Sequence, residues 1–254
     1  MEQWLAAIRR GRARNATDAA RRAGVLIAAC LLPLAARAAE LSPFSADYTW
    51  TMKGMSAGHS TLTLARRDDG RWSYSSRSTA RGIFKLAAPG EITQISIFRI
   101  ENGEVLPDHY RGDDGTSATR RDANVTFDWR NHRVTGVYED VPVDLPIEPG
   151  IQDDLSIQIA LLNALLHERL PSGFRQIDKN TVKEYQYVPE GRQRIDTALG
   201  ALDTVVFRSR KIGARSSTLF WCAPSLGYLP VKVERHDGGD KVDWSLAIRA
   251  ARRE

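Results

Sequence analysis

The sequence predicts a mainly β protein: an antiparallel, strongly curved open sheet or half-barrel partly enclosing one α-helix, with a β-sandwich or closed barrel as the alternative. Three observations lead there. Apolar and polar residues alternate with a period of two through much of the chain, the pattern of strands with one wet face. Asp-Gly and Asn-Gly turns separate these runs, and connections that short join antiparallel neighbours. Only one segment carries clear helical spacing, and its apolar sector is broad enough to be buried on more than one side.

Residues 1–38 stand outside this pattern. Arg9, Arg10, Arg12, Arg14, Arg21 and Arg22 precede the apolar run Ala23–Ala35 and an Ala-x-Ala site ending at Ala38. A basic start, a short apolar run and small residues at the boundary predict a Sec-type signal peptide, cleaved after Ala38, and a periplasmic product. The run is shorter than the ~20 residues of a membrane span. An alternative is a lipobox, LIAAC at Leu26–Cys30, which would anchor the chain through Cys30. The very apolar LLPLAARAA that follows makes an unusual tether and favours the soluble form. The expected organisation is a signal peptide at 1–38 and a single β-rich domain at 39–254.

Seven of the 36 Lys and Arg, but only two of the 31 Asp and Glu, fall in residues 1–38, so 29 of each remain and the domain is formally neutral. No clustered basic face stands out, which sets nucleic-acid binding aside. Cleavage after Ala38 leaves Cys222 as the one cysteine, so no internal disulfide forms and stability rests on the core. A lone thiol in an oxidising compartment is usually a buried one.

The first strand places Phe44, Ala46, Tyr48, Trp50 and Met52 on one face and Ser45, Asp47, Thr49, Thr51 and Lys53 on the other. Further strands are expected near 59–66, 71–79, 91–101, 105–111, 117–129, 133–138, 183–188, 193–199, 203–211, 216–222 and 228–236. The last run carries Val242, Trp244, Leu246 and Ile248. Turn sequences RDDG (67–70), ENGE (101–104), GDDG (112–115), RNH (130–132) and HDGG (236–239) punctuate them.

The helix is expected over about Asp154–His167, where Leu155, Ile159, Leu162 and Leu166 form the stripe and Ile157, Leu161 and Leu165 widen it. The adjacent carboxylates Asp153 and Asp154 open it, after a turn at Pro149-Gly150. Asp153 stands where an N-cap belongs, accepting from the N–H of Leu155 or Ser156; its loss is expected to cost ~1 kcal/mol. Asp154 in the first turn would complement the helix dipole.

Catalytic signatures are sparse. GMSAG (Gly54–Gly58) matches G-x-S-x-G, which would make Ser56 a nucleophile with His59 or another histidine as its base. The HSTLTLA that follows alternates like a strand, whereas a nucleophile elbow opens a helix, so the glycines read as a hairpin bend. His59, His109, His132, His167 and His236 show no metal-ligand spacing, and Cys-x-x-Cys is absent; no metal or cofactor is expected. The aromatics of FDW (127–129) and KEYQY (183–187) read as inward-facing strand residues more readily than as a ligand face.

An ordered set of local patterns carries a family resemblance: GMSAGHSTLTL (54–64), TARGIFKL (79–86), LPDHY (106–110), FDW, GIQDDLS (150–156), KEYQY, TALGALDTVVF (197–207) and APSLGYLPVKVE (223–234). Together they resemble the bacterial domain-of-unknown-function family DUF3108 over nearly all of the domain. The resemblance implies a secreted, β-rich envelope protein with no catalytic set to carry over. The expected function is a non-enzymatic binding or accessory role in the envelope, holding an apolar ligand or docking a membrane protein in the concavity. A hydrolase using Ser56 and a structural envelope protein are the competing readings.

Overall fold

A computed structural model describes residues 40–169 and 173–253 of the 254-residue chain. The expected leader, its cleavage site and Cys30 lie outside those residues. Ala38–Glu254 form one compact unit.

The first half of that unit is a run of eight strands: β1 (Phe44–Met52), β2 (Met55–Arg66), β3 (Trp72–Ala80), β4 (Glu91–Glu101), β5 (Glu104–Asp113), β6 (Ala123–Asp128), β7 (Arg133–Tyr138) and β8 (Val141–Pro146). The chain then passes through the two-residue β9 (Ile151–Gln152) into helix α1 (Ser156–Leu166). It returns as β10 (Gly173–Ile177), β11 (Val182–Thr197), β12 (Gly200–Lys211), β13 (Ser217–Ala223), β14 (Leu229–His236) and β15 (Val242–Arg253). All fifteen join one sheet in the order β8-β7-β6-β5-β4-β3-β2-β1-β15-β14-β13-β12-β11-β10-β9. Every pairing is antiparallel except the short β9–β10 ladder. The sheet is open: β8 and β9 are its edges, which disposes of the sandwich and closed-barrel alternatives.

The period-two pattern explains the core. Phe44, Ala46 and Tyr48 of β1 are buried while Ser45, Asp47 and Thr49 between them are partly exposed. Tyr48, Tyr74, Phe98, Tyr110 and Phe207 are among the largest fully buried side chains. Helix α1 packs into the concave side and is buried nearly all round. Leu155, Ile159 and Leu162 join the main core. Leu161 and Leu165 meet a second cluster with Tyr187, Phe207 and Cys222. Among the described residues no helix is long and apolar enough to cross a membrane.

Several expected boundaries are corrected. Residues 117–122 are a loop containing the short 3-10 turn Thr119–Arg121, not the start of a strand. The two strands expected at 183–188 and 193–199 are one long strand, β11, whose register shifts between Pro189 and Gly191. A bulge absorbs the proline there, since it cannot donate to the ladder. The helix begins two residues later than expected. Three strands had no visible pattern: β9 and β10 are very short, and β8 carries Pro142 and Pro146, which an edge strand tolerates.

Candidate functional site

The chain passes from one edge of the sheet to the other through Ile147–Gly150, and α1 starts immediately beyond β9. The N-terminus of the helix therefore lies at the seam between β8 and β9, where the two adjacent carboxylates part company.

Asp153 is fully buried. Its Oδ1 accepts from the N–H groups of Leu155 (2.9 Å) and Ser156 (2.8 Å), and its Oδ2 accepts from Ser96 Oγ on β4 (2.6 Å). Its own N–H donates to Ser156 Oγ (2.8 Å), and its C=O accepts from Ile157 N–H (3.3 Å). Side chains and backbone are thus satisfied reciprocally, as in a capping box with Asp and Ser in the two roles. Burial raises the Asp153 carboxyl to about 6; the Ser156, Ser96 and Leu155 hydrogen bonds oppose the rise and the charge of Asp154 adds to it.

Asp154 does not complement the helix dipole from a solvated first turn. Its carboxylate points into a polar cluster instead: Tyr110 Oη donates at 3.0 Å, and Tyr138 Oη and Gln176 Nε2 also donate. Burial raises its pKa too, against the pull of those three donors. Both phenols are pushed upward, first by burial and then by the Asp154 charge, so they stay protonated and serve as donors. Gln94 Nε2 donates to Tyr110 Oη (2.9 Å), and Tyr74 Oη donates to Gln158 Oε1 on the helix (3.2 Å).

Beside this cluster the concave side keeps a hollow of about 250 Å³. Tyr48, Leu62, Ile157, Phe220, Trp244 and Leu246 supply apolar walls, and Asp154, Gln158, Gln176 and Arg235 supply polar ones. A wider cleft of about 620 Å³ follows the seam past Val105, Gln152, Asn163, Phe174 and Tyr185.

Ser56 and His59 lie elsewhere, on β2. Both are exposed, and among the described residues no hydrogen bond joins them to each other or to a carboxylate. The motif's glycines each have a backbone reason. Gly54 has φ +79° in the β1–β2 turn, and a Cβ on Gly58 would stand 2.1 Å from the carbonyl oxygen of Thr79. The bend lies at Lys53-Gly54, so Ser56 already belongs to the strand. His167 Nδ1 donates to the Asn163 carbonyl at the helix end (2.7 Å). Phe127 is buried, Trp129 Nε1 donates to Pro107 O (2.6 Å), and Tyr187 packs edge-on against Phe174. An acidic trio missed in the sequence, Asp113, Asp114 and Asp122, gathers in the β5–β6 loop, where Arg121 Nε reaches Asp114 Oδ2 at 2.7 Å.

The sequence model of a family described as "Protein of unknown function (DUF3108)" matches residues 45–242, from the start of β1 to the start of β15. The chain belongs to the DUF3108 family. No curated protein matches it. Among solved structures, a β-barrel-like DUF1849 protein from Brucella abortus is similar at 10% identity and a TM-score of 0.55, covering 85% of this chain and 99% of that one. At that identity the likeness shows the fold. MucB aligns with 85% of this chain and 54% of its own at 12% identity and a TM-score of 0.34.

For this DUF3108 protein the GIQDDLS pattern has a geometry at each position. Gln152 is buried and its Nε2 donates to Val105 O (2.9 Å) on β5. Asp153 and Ser156 close the capping box, and Leu155 is in the core. The LGYLPV pattern turns the chain at Gly227 and Tyr228, both at φ +62°, with Tyr228 N–H donating to Ala223 O (2.8 Å). The partners of Asp154 on β5, β7 and β10 had no signal in the sequence.

Proposed function

We propose that this protein is a non-enzymatic binding or accessory module of the bacterial envelope. Its concave side would take a small apolar group, or the end of a longer chain, against Tyr48, Ile157, Phe220 and Trp244. The observation that carries the reading is the hollow left between α1 and the strands. At about 250 Å³ it falls just below the ~300 Å³ at which ligand pockets usually start. Helix α1 occupies part of the concavity, which suits this hollow to a small group rather than to a bulky lipid body. The basic, apolar and small-residue order of residues 1–38 supports an exported, periplasmic setting.

Native mass spectrometry of protein recovered from the cells that make it, followed by organic extraction, tests this. Co-purifying apolar mass that Leu246→Trp displaces is the expected result, and consistently empty protein overturns the ligand reading. Among the described residues no hydrogen bond joins Ser56 to a histidine or a carboxylate, which supports the non-enzymatic half. A serine-reactive probe is expected to label neither wild type nor Ser56→Ala; labelling that Ser56→Ala abolishes would restore the hydrolase.

A further inference from the structure

The connection between β3 and β4 holds apolar side chains in water. Gly82–Leu86 form a 3-10 turn with no buried residue; Ile83 is 66% exposed and Leu86 90%. In a 3-10 turn, side chains three apart eclipse, so Ile83 and Leu86 share a face. The turn is firmly held. Arg81 N–H donates to Ala57 O (2.7 Å), Phe84 N–H to Arg81 O (3.2 Å) and Ala87 N–H to Phe84 O (3.1 Å). Phe84 packs on Trp50 of β1 with ring centroids 6.4 Å apart, and Ala88 is buried behind it. The anchor faces in while Ile83 and Leu86 are directed out.

Antiparallel order places the β1–β2 turn at the same end of the sheet, and there Met55 is 50% exposed. Lys53 in the same β1–β2 turn and Arg81 and Lys85 in the β3–β4 connection are exposed, and none enters a described ion pair. Acidic groups share this end of the sheet and most stand beside cations of their own: Glu91 lies 3.5 Å from Arg77, and Asp114 of the adjoining β5–β6 loop, with Asp113 and Asp122, 2.7 Å from Arg121. Asp237, Asp240 and Asp243 of the β14–β15 side come with Lys241.

We propose that Ile83, Leu86 and Met55, together with Lys53, Arg81 and Lys85, form a foot that docks this protein on a bilayer surface bearing anionic headgroups. Two features select that occupant. Apolar side chains flanked by cations match the boundary between acyl chains and negative headgroups. The patch is also only a few residues wide, whereas a stable contact with a second copy needs ~800 Å² per partner. The foot is independent of any ligand in the concave hollow.

The test places an environment-sensitive dye at Ala87→Cys in the protein recovered from the periplasm, without the basic, apolar leader that would itself bind vesicles; Cys222 is fully buried. A control dye sits at Ala198→Cys in the β11–β12 turn, at the opposite end of the strands. Vesicles of phosphatidylcholine with phosphatidylglycerol are expected to shift the Ala87 dye to the blue and expose it to nitroxide-lipid quenching, leaving the control unchanged. Apparent affinity is expected to fall about tenfold for each apolar side chain removed in Ile83→Ser and Leu86→Ser. It is expected to fall about fivefold for each charge removed in Arg81→Gln and Lys85→Gln, and further with salt. Vesicle binding that leaves the Ala87 dye unshifted overturns the foot, because attachment then runs through another part of the chain. An equal response to pure phosphatidylcholine overturns the anionic partner. A shift that grows with protein concentration and needs no vesicles assigns the turn to a second copy and overturns the proposal.

Discussion

Replacing Asp153 by Asn separates the two things this carboxylate does. The amide keeps an oxygen where Oδ1 accepts from Leu155 and Ser156 N–H, and its NH₂ can donate to Ser96 Oγ, so the helix cap survives. What disappears is the ionisation. Burial raises the carboxyl from 3.8 to about 6, so the folded state holds the proton more tightly than the unfolded chain does. Between those pH values the native state binds more protons than the unfolded state, and wild-type stability must fall as pH rises. The loss begins near the unfolded value and is complete above the folded one; the difference of about two pH units amounts to ~3 kcal/mol. The Asn variant lacks this term. It is expected to match wild type near pH 4 and to exceed it by up to ~3 kcal/mol at pH 7. Asp153→Ala removes the cap, worth ~1 kcal/mol, and leaves Ser96 Oγ buried without a partner at ~1–3 kcal/mol. At pH 4 it should therefore be the weakest of the three. Urea unfolding at half-unit pH steps from 4 to 7 measures all of this. A constant gap between wild type and the Asn variant across that range would refute the reasoning, as would an Asn variant as weak as Ala at pH 4.

Other perturbations follow from the same geometry. Tyr138→Phe removes one donor from Asp154 and is expected to cost ~1–2 kcal/mol in urea unfolding. Gly58→Ala drives a Cβ to 2.1 Å from the Thr79 carbonyl oxygen; opening the β2–β3 ladder to admit it should cost ~3 kcal/mol and lower Tm accordingly. Burial pushes the Cys222 thiol up to about 12, so a chain with Cys30→Ser should resist a thiol reagent at pH 8 until denaturant is added; prompt native labelling would contradict the packed second cluster.

How much of this was legible depends on sequence separation. Local alternation revealed β1, and turn sequences revealed the β2–β3 and β4–β5 hairpins, because hairpin chemistry lies within a few residues. Helix α1 was visible because its apolar residues are local and periodic. The strands next to the seam were not: β8 is broken by Pro142 and Pro146, and β9 and β10 draw their order from contacts with distant segments. The carboxylates divide the same way. The cap partners of Asp153 are two and three residues away, but Ser96 is 57 residues away. The donors to Asp154 come from 16, 22 and 44 residues along the chain. Two identical neighbouring side chains took different roles because a change of backbone direction at the helix start sends them to different strands.

That divergence bears on how an open sheet stays closed around its helix. No backbone ladder joins β8 to β9 among the described residues, so the seam lacks the interaction that holds every other strand pair. Surface ion pairs cross it, Lys179 with Glu139 at 2.8 Å and Arg175 with Glu148 at 3.1 Å, but exposed pairs contribute ~0–1 kcal/mol each. The stronger ties are buried. Asp153 reaches β4 through Ser96, Gln152 reaches β5 through Val105 O, and Asp154 gathers Tyr110 of β5, Tyr138 of β7 and Gln176 of β10 on one carboxylate. Asp154 thereby connects strands from both sides of the seam, and it does so from the first residues of the helix that plugs the concavity. Removing one donor leaves two; removing the carboxylate leaves three donors, one of them fully buried, without their acceptor. Asp154→Leu should accordingly be far more damaging than Tyr138→Phe, with amide exchange rising first in β8, β9 and β10 and last in β1 and β15 at the middle of the sheet. Uniform exchange across all fifteen strands would show that the seam is held by something other than these carboxylates.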